Sequence, residues 1–291
     1  MTDFQNTWEA VFKPHHATGY FETMSHLPFE PGAPQFRPVD GWWMAEMSRL
    51  VYRRHDDEPN PSPDGKTRGE FLEPQGFIEL EFFDSQGSQA SLITPRPRPR
   101  PSGVGNPDYV VVAFRGTDDL QTWFDFNLDL ASTDWPTGGK VHSGFKEAFD
   151  HIWGDIEVAL PDGVPVVYTG HSLGGALATL AASHRSPLRT YTFGSPRVGD
   201  GDFARTIERD AFFRVVNNQD IVTQVPVGLL HVGILFYIST DGALHRQPDY
   251  GFVRLDLKRN LPNNFGGPPQ AIADHAPVNY VKHLERAVTL T

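Results

Sequence analysis

Gly170-His171-Ser172-Leu173-Gly174 is the stretch on which the fold turns. Val164 to Thr169 precede it as a short apolar run with strand character, and Leu177 to Ala182 follow as small, helix-favouring residues. A strand, then G-x-S-x-G, then a helix is the context of a nucleophile elbow. The reason is steric. A serine at the apex of so tight a strand-to-helix turn leaves no room for side chains two residues either side. Gly170 and Gly174 provide that room, because glycine has no Cβ to collide. The same turn aims the following N–H groups and the helix N-terminus at whatever Ser172 attacks. The pentapeptide is common by itself; its flanks carry the reading.

Outward from the elbow, the chain alternates strands and helices. Tyr109 to Phe114 is apolar on both faces, as expected of a central parallel strand. Thr190 to Phe193 and Phe212 to Val216 are further strands, with helices expected over Gly144 to Ala159, Ser172 to His184 and Asp202 to Arg209. This pattern predicts an α/β fold with a mainly parallel sheet covered on both sides. Gly76 to Phe83 and Ser88 to Ile93 read as a hairpin, and His231 to Ser239 with Ala243 to Arg246 as a late antiparallel one. Gly41 to Arg53 reads as a helix with Trp43, Met47, Leu50 and Val51 on its packed face and Glu46, Arg49 and Arg53 off that face's centre. Residues 1–40 show no sustained period and read as an irregular arm over the domain. The Pro-Arg run from Pro95 to Pro101 reads as an extended, solvated loop between strands, not a domain boundary. No repeat or composition break marks a second domain, so residues 1–291 are expected to form one.

Composition narrows the function classes. With 25 Lys and Arg against 36 Asp and Glu, the net charge of −11 argues against nucleic-acid binding and against attraction to anionic membranes. There is no cysteine, so no disulfide, thiolate metal site or cysteine nucleophile can form. Met1 to Asn6 lacks a basic n-region and an apolar h-region, and no apolar run reaches transmembrane length. That reading leans to the cytoplasm and leaves export open. No metal-ligand motif, dinucleotide fingerprint or P-loop is present, so no metal and no cofactor are expected.

A serine hydroxyl becomes a nucleophile only beside a base, and the base needs a third group to hold its tautomer. Elbow enzymes carry these in the order Ser, acid, His. Asp200, Asp202, Asp210, Asp220 and Asp241 all lie downstream; Asp220 follows a strand's carboxyl end, where ligands of open α/β sheets gather. Asp200 and Asp202 suit a turn that caps the next helix. Among His184, His231, His245, His275 and His283, His275 ends a long approach loop just before a C-terminal helix, and His283 on that helix is its rival. The oxyanion formed on attack needs preorganised donors. The Leu173 N–H is one; Thr117, in the loop after the 109–114 strand, offers a second, although taken alone that loop is better explained as an ordinary strand-ending turn with Arg115 in a salt bridge.

Five spaced motifs bring these choices together. Phe114-Arg-Gly-Thr117, Val141-His-Ser-Gly-Phe145, Gly170-His-Ser-Leu-Gly-Gly175, Thr192-Phe-Gly-Ser-Pro-Arg-Val-Gly199 and Val215-Val-Asn-Asn-Gln-Asp-Ile-Val222 stand in this order. Over roughly residues 40–285 the chain resembles the class 3 lipases, the fungal-type triacylglycerol lipase family with an α/β-hydrolase fold. The resemblance implies a mostly parallel central sheet with helices on both faces and a lid helix. It implies Ser172 as nucleophile, Asp220 as acid, His275 as base, and Thr117 with Leu173 as the oxyanion hole. The lid falls on Asp118 to Leu130, where Leu120, Trp123, Phe124 and Leu128 form one stripe; Trp123 and Phe124 are its expected substrate contacts. The expected function is hydrolysis of acylglycerol esters by a serine carboxylic-ester hydrolase, with a lipid or small ester as substrate and transient contact with a lipid interface through the lid. The alternatives are a lidless esterase for short-chain or feruloyl-type soluble esters, and an inactive lipase-like binding protein. The Pro-Arg insertion and the spacing of Asp274-His-Ala-Pro-Val-Asn-Tyr280 depart from the family pattern. The sequence is silent on oligomeric state.

Overall fold

A computed structural model describes residues 5–55, 57–96, 107–117, 131–258 and 267–290. Its centre is an eight-stranded sheet in the order β1-β2-β3-β6-β7-β8-β9-β10. The strands are β1 (Phe77–Ser85), β2 (Ser88–Pro95), β3 (Val110–Phe114), β6 (Val166–His171), β7 (Arg189–Phe193), β8 (Phe212–Asn217), β9 (Ile234–Ile238) and β10 (Leu244–Arg246). A separate short pair, β4 (Ser132–Asp134) and β5 (Lys140–His142), lies between β3 and β6 in the chain. The five central strands β3, β6, β7, β8 and β9 run parallel, and both expected hairpins add antiparallel strands at the edges.

The parallel strands are apolar runs because both of their faces are covered. Alternate residues of β3 divide between two cores. Val110, Val112 and Phe114 join the core under α3 (Ser143–Ala159) and α4 (Leu173–His184). Val111 and Ala113 join the opposite core, which takes Trp42, Met44, Met47 and Leu50 from α2 (Pro38–Leu50) and Tyr280, Val281 and Leu284 from α6 (Pro277–Thr289). Two short helices complete the set used below, α1 (Trp8–Phe12) in the arm and α5 (Gln270–Ala273) before α6.

Two expectations need correction. The helix expected over Asp202 to Arg209 is a single turn, Gly201–Ala204, capped by Asp200, whose carboxylate accepts the Asp202 and Phe203 N–H groups. The helix expected over Gly41 to Arg53 is α2, and its polar residues are not solvated: Glu46, Arg49 and Arg53 are all buried. The arm is the cause. It packs Tyr20, Phe21 and Met24 into the same core, and the Phe21 N–H donates to Glu46, which is paired with Arg49 at 2.6 Å. Covering α2 on its second face leaves its charges no water, so they pair with each other and with arm backbone. The Pro-Arg run from residue 97 onward and the expected lid, with Trp123 and Phe124, lie outside the described residues.

Candidate active site

β6 delivers the elbow. Ser172 has φ 59° and ψ −129°, a left-handed conformation rare for a residue with a Cβ. The turn is clamped from both sides: the Ser172 N–H donates to Phe193 O at 3.0 Å, and Gly175 N–H donates to Ser172 O at 2.9 Å. Leu173 follows as the first residue of α4, at the end of the helix where N–H groups have no partner in the helical ladder.

Ser172, His275 and Asp220 come together from three parts of the chain. His275 Nε2 stands 2.9 Å from Ser172 Oγ, and its Nδ1 stands 2.9 Å from Asp220 Oδ2. All three are buried. Asp220 lies just beyond β8, and its second carboxylate oxygen accepts the Val222 N–H at 2.9 Å. Gly194, after β7, is what allows the close approach: a Cβ there would lie 2.6 Å from Asp220 Oδ2 and 3.0 Å from His275 Nδ1. The Thr192-Phe-Gly-Ser motif therefore has a steric reason at its glycine.

The loop after β3 reaches the same place. A Cβ on Gly116 would stand 3.1 Å from Ser172 Cβ and 2.7 Å from His171 O, so Thr117 follows directly on the residue packed against Ser172. The other candidates fall elsewhere. His283 sits against the 239–242 turn, where a Cβ on Gly242 would be 3.2 Å from its Nδ1, and burial pushes its pKa down to about 4. His231 Nε2 lies 2.9 Å from Thr223 O, and burial holds it well below the ordinary histidine range. His245 pairs with Ser239 and Asp241 with the Ser239 hydroxyl.

Sequence reasoning gave no role to Tyr280. Its hydroxyl donates to Asp220 Oδ2 at 2.6 Å and accepts the Asn217 N–H at 3.1 Å. Burial, reinforced by the Asp220 charge, raises this phenol well above its usual pKa, so it stays a donor and orients the carboxylate. A buried tyrosine at helical spacing reads as core until its hydroxyl's partner is seen.

Asp274 is a second carboxyl close by. It accepts the Gln219 N–H at 3.0 Å and a Gln270 amide N–H at 2.5 Å, and burial pushes its pKa up to about 7. An unfolded carboxyl releases its proton near pH 3.9. The folded protein therefore holds a proton that the unfolded chain has lost, and this group costs stability progressively from about pH 4 to about pH 7. Asp274→Asn should consequently melt higher than the parent at about pH 8 and alike at about pH 4. Equal shifts at both values would show that the carboxyl's ionisation is not the cause.

Residues 111–229 match the family model for lipase (class 3). A secreted mono- and diacylglycerol lipase of Fusarium solani is 35% identical over 154 residues, 48% of this chain and 43% of the relative. A lipase of Rhizomucor miehei is 32% identical over 152 residues, 45% of this chain and 42% of the relative. The chain thus spans less than half the length of these curated relatives. A fungal lipase crystal structure superposes with a TM-score of 0.58 at 19% identity, covering 85% of this chain and 96% of that one; this likeness is one of fold. It gives the mixed sheet its α/β-hydrolase character, and the matched segment holds the 114–117 loop, the elbow and Asp220. Over that segment the chain is similar to the class 3 lipase family.

Proposed function

We propose that this protein is a serine carboxylic-ester hydrolase, a lipase that cleaves acylglycerol esters through an acyl-enzyme on Ser172. The observation that carries the reading is the hydrogen-bonded series from Ser172 Oγ through His275 to Asp220, 2.9 Å at each step. Ser172 Oγ attacks the ester carbonyl while His275 Nε2 takes its proton, and Asp220 stabilises the imidazolium. The oxyanion rests on the N–H groups of Leu173 and Thr117. The protonated base then gives its proton to the departing alcohol, leaving the acyl-enzyme. Water, deprotonated by His275, attacks the acyl carbonyl, and the collapsing intermediate frees the fatty acid and restores Ser172.

Ser172 has no exposed surface, which fits a cover that moves before an ester can enter. The lid expected over residues 118–130 is the proposed cover, with Trp123 and Phe124 meeting lipid. One sheet taking strands from residue 77 to residue 246 supports a single domain. The secreted Fusarium solani relative supports an extracellular setting over the cytoplasmic one to which the cysteine-free sequence leans. No helix among the described residues is long and apolar enough to cross a membrane.

The test is hydrolysis of p-nitrophenyl esters from acetate to palmitate beside emulsified triolein. A lipase should gain rate with acyl length and again at the emulsion, and Trp123→Ala should lose more on triolein than on dissolved acetate. Activity confined to short soluble esters would make the protein an esterase, and equal losses in Trp123→Ala would remove the lid.

A further inference from the structure

The segment that carries His275 is held by its backbone at three consecutive carbonyls. Ala273 O accepts the Asn279 Nδ2–H at 2.9 Å, Asp274 O accepts the Asn217 Nδ2–H at 2.9 Å, and His275 O accepts the His171 Nε2–H at 2.7 Å. The donors come from α6, β8 and β6. The need for them is local: α5 ends at Ala273, and α6 opens on Pro277, which has no N–H to give. The Asn279 N–H goes to Ala276 O, one residue beyond the base. The carbonyl of His275 therefore falls between two helices, and a side chain must serve it.

The third donor is different in kind. A carbonyl oxygen only accepts, so His171 carries its proton on Nε2, and its bare Nδ1 accepts the Tyr52 hydroxyl at 3.0 Å. The His171 ring lies 4.5 Å from the His275 ring, tilted by 36°. His171 and Tyr52 are buried. Burial, and then the neighbouring His275, keep His171 well below the ordinary histidine pKa, so the imidazole stays neutral. Tyr52 touches the other side of the site as well, since its hydroxyl occupies the space a Cβ on Gly116 would enter.

We propose that His171 is a positioning residue for the base: a neutral strut of fixed tautomer, oriented by Tyr52, that holds His275 over Ser172. The inference rests on reading Ser172, His275 and Asp220 as a hydrolytic triad. The carbonyl and the ring of His275 hang from adjoining backbone bonds, so freeing the carbonyl lets the residue turn and carries Nε2 off Ser172 Oγ. Displacements on the order of 1 Å at a reacting group cost about 100-fold in rate.

The experiment compares the parent with His171→Leu, His171→Gln, Tyr52→Phe and the Tyr52→Phe/His171→Leu double variant. Three quantities are measured: kcat and KM on dissolved p-nitrophenyl butyrate, the rate at which a p-nitrophenyl phosphonate labels Ser172, and the melting temperature. Leucine keeps apolar bulk without a donor, whereas glutamine can place an amide N–H near the position of Nε2. We expect His171→Leu to lose about 100-fold in kcat and in labelling with KM within about twofold. His171→Gln should stay within about tenfold of the parent. Tyr52→Phe should lose roughly fivefold alone and nothing further in the double variant, since both act through one strut. Parent-like kcat in His171→Leu overturns the proposal, as do equal losses in the Leu and Gln variants that track melting temperature. If His171→Leu does not fold, the Gln and Tyr52→Phe kinetics decide: near-parent and modestly lowered rates support the strut, and unchanged rates in Tyr52→Phe overturn it. A parent enzyme whose Ser172 is not labelled overturns the triad reading and this inference with it. Labelling of the parent with unchanged variants overturns the strut alone.

Discussion

Ser172→Ala should abolish ester hydrolysis, with kcat lower by about 10⁴-fold to 10⁶-fold, while the protein melts within about 2 °C of the parent. In the proposed mechanism the hydroxyl is the atom that forms the acyl bond, and no neighbouring group can stand in for it. His275 Nε2 faces Ser172 Oγ at 2.9 Å, so removing the oxygen leaves a base with nothing to deprotonate but water. What remains is binding and the oxyanion donors, which by themselves are worth on the order of 10³-fold over water. Stability should hardly change. The φ of 59° at residue 172 is no kinder to alanine than to serine, and the backbone bonds that clamp the turn do not involve the hydroxyl. Initial rates on p-nitrophenyl butyrate with a thermal melt check both halves. Residual activity above about one hundredth of the parent's would sink the nucleophile assignment, since that is far more than the rest of such a site supplies.

Gly174→Ala should be severely damaging for a single methyl group. Its Cβ would overlap Phe114 O and lie 2.8 Å from Phe114 C and 2.9 Å from Arg115 C. These are backbone atoms of β3 and the loop after it, which cannot turn aside as a side chain could. Either β3 parts from the head of α4, or the elbow unwinds. A loss above about 4 kcal/mol is expected, which for a domain of this size is roughly a 10 °C fall in melting temperature. Activity should fall with it, because the same shift moves the 115–117 loop away from Ser172. Gly154→Ala is the matched control. It lies in α3 with nothing within 4 Å of a built Cβ, so alanine there should stabilise by about 0.5–1 kcal/mol. Similar melting temperatures for the two variants would show that the steric account of the elbow is wrong.

The features legible in the sequence were those whose cause is local. The elbow needs a glycine two residues either side of a serine because the collision lies within a few residues, so five letters and their flanks are enough. The central strands were visible because burial on both faces demands unbroken apolar runs, as in Val110 to Phe114, all buried. The Asp200 cap was visible because it binds N–H groups two and three residues on.

Tertiary structure decided what depends on distant neighbours. Ser172 and His275 are 103 residues apart, and Asp220 is 55 from His275; only the parallel strand order brings their ends together. Before the fold, His275 was preferred as the base for its place at the end of a loop, with His283 as its rival. In the structure His275, in the segment between α5 and α6, faces Ser172, whereas His283 on α6 faces the 239–242 turn. Glu46 and Arg49 sit off the packed stripe of α2, and their burial followed from an arm that no periodicity announced. Tyr280, Asn217 and His171 read as core or motif residues, since a buried polar group leaves no mark in the sequence to name its partner. The sequence by itself determined the elbow at Ser172, the central strands and the order in which an acid and a base would follow. Only the fold showed which buried side chains hold Asp220 and His275, because hydrogen-bond geometry is fixed by packing between elements and not by spacing within one.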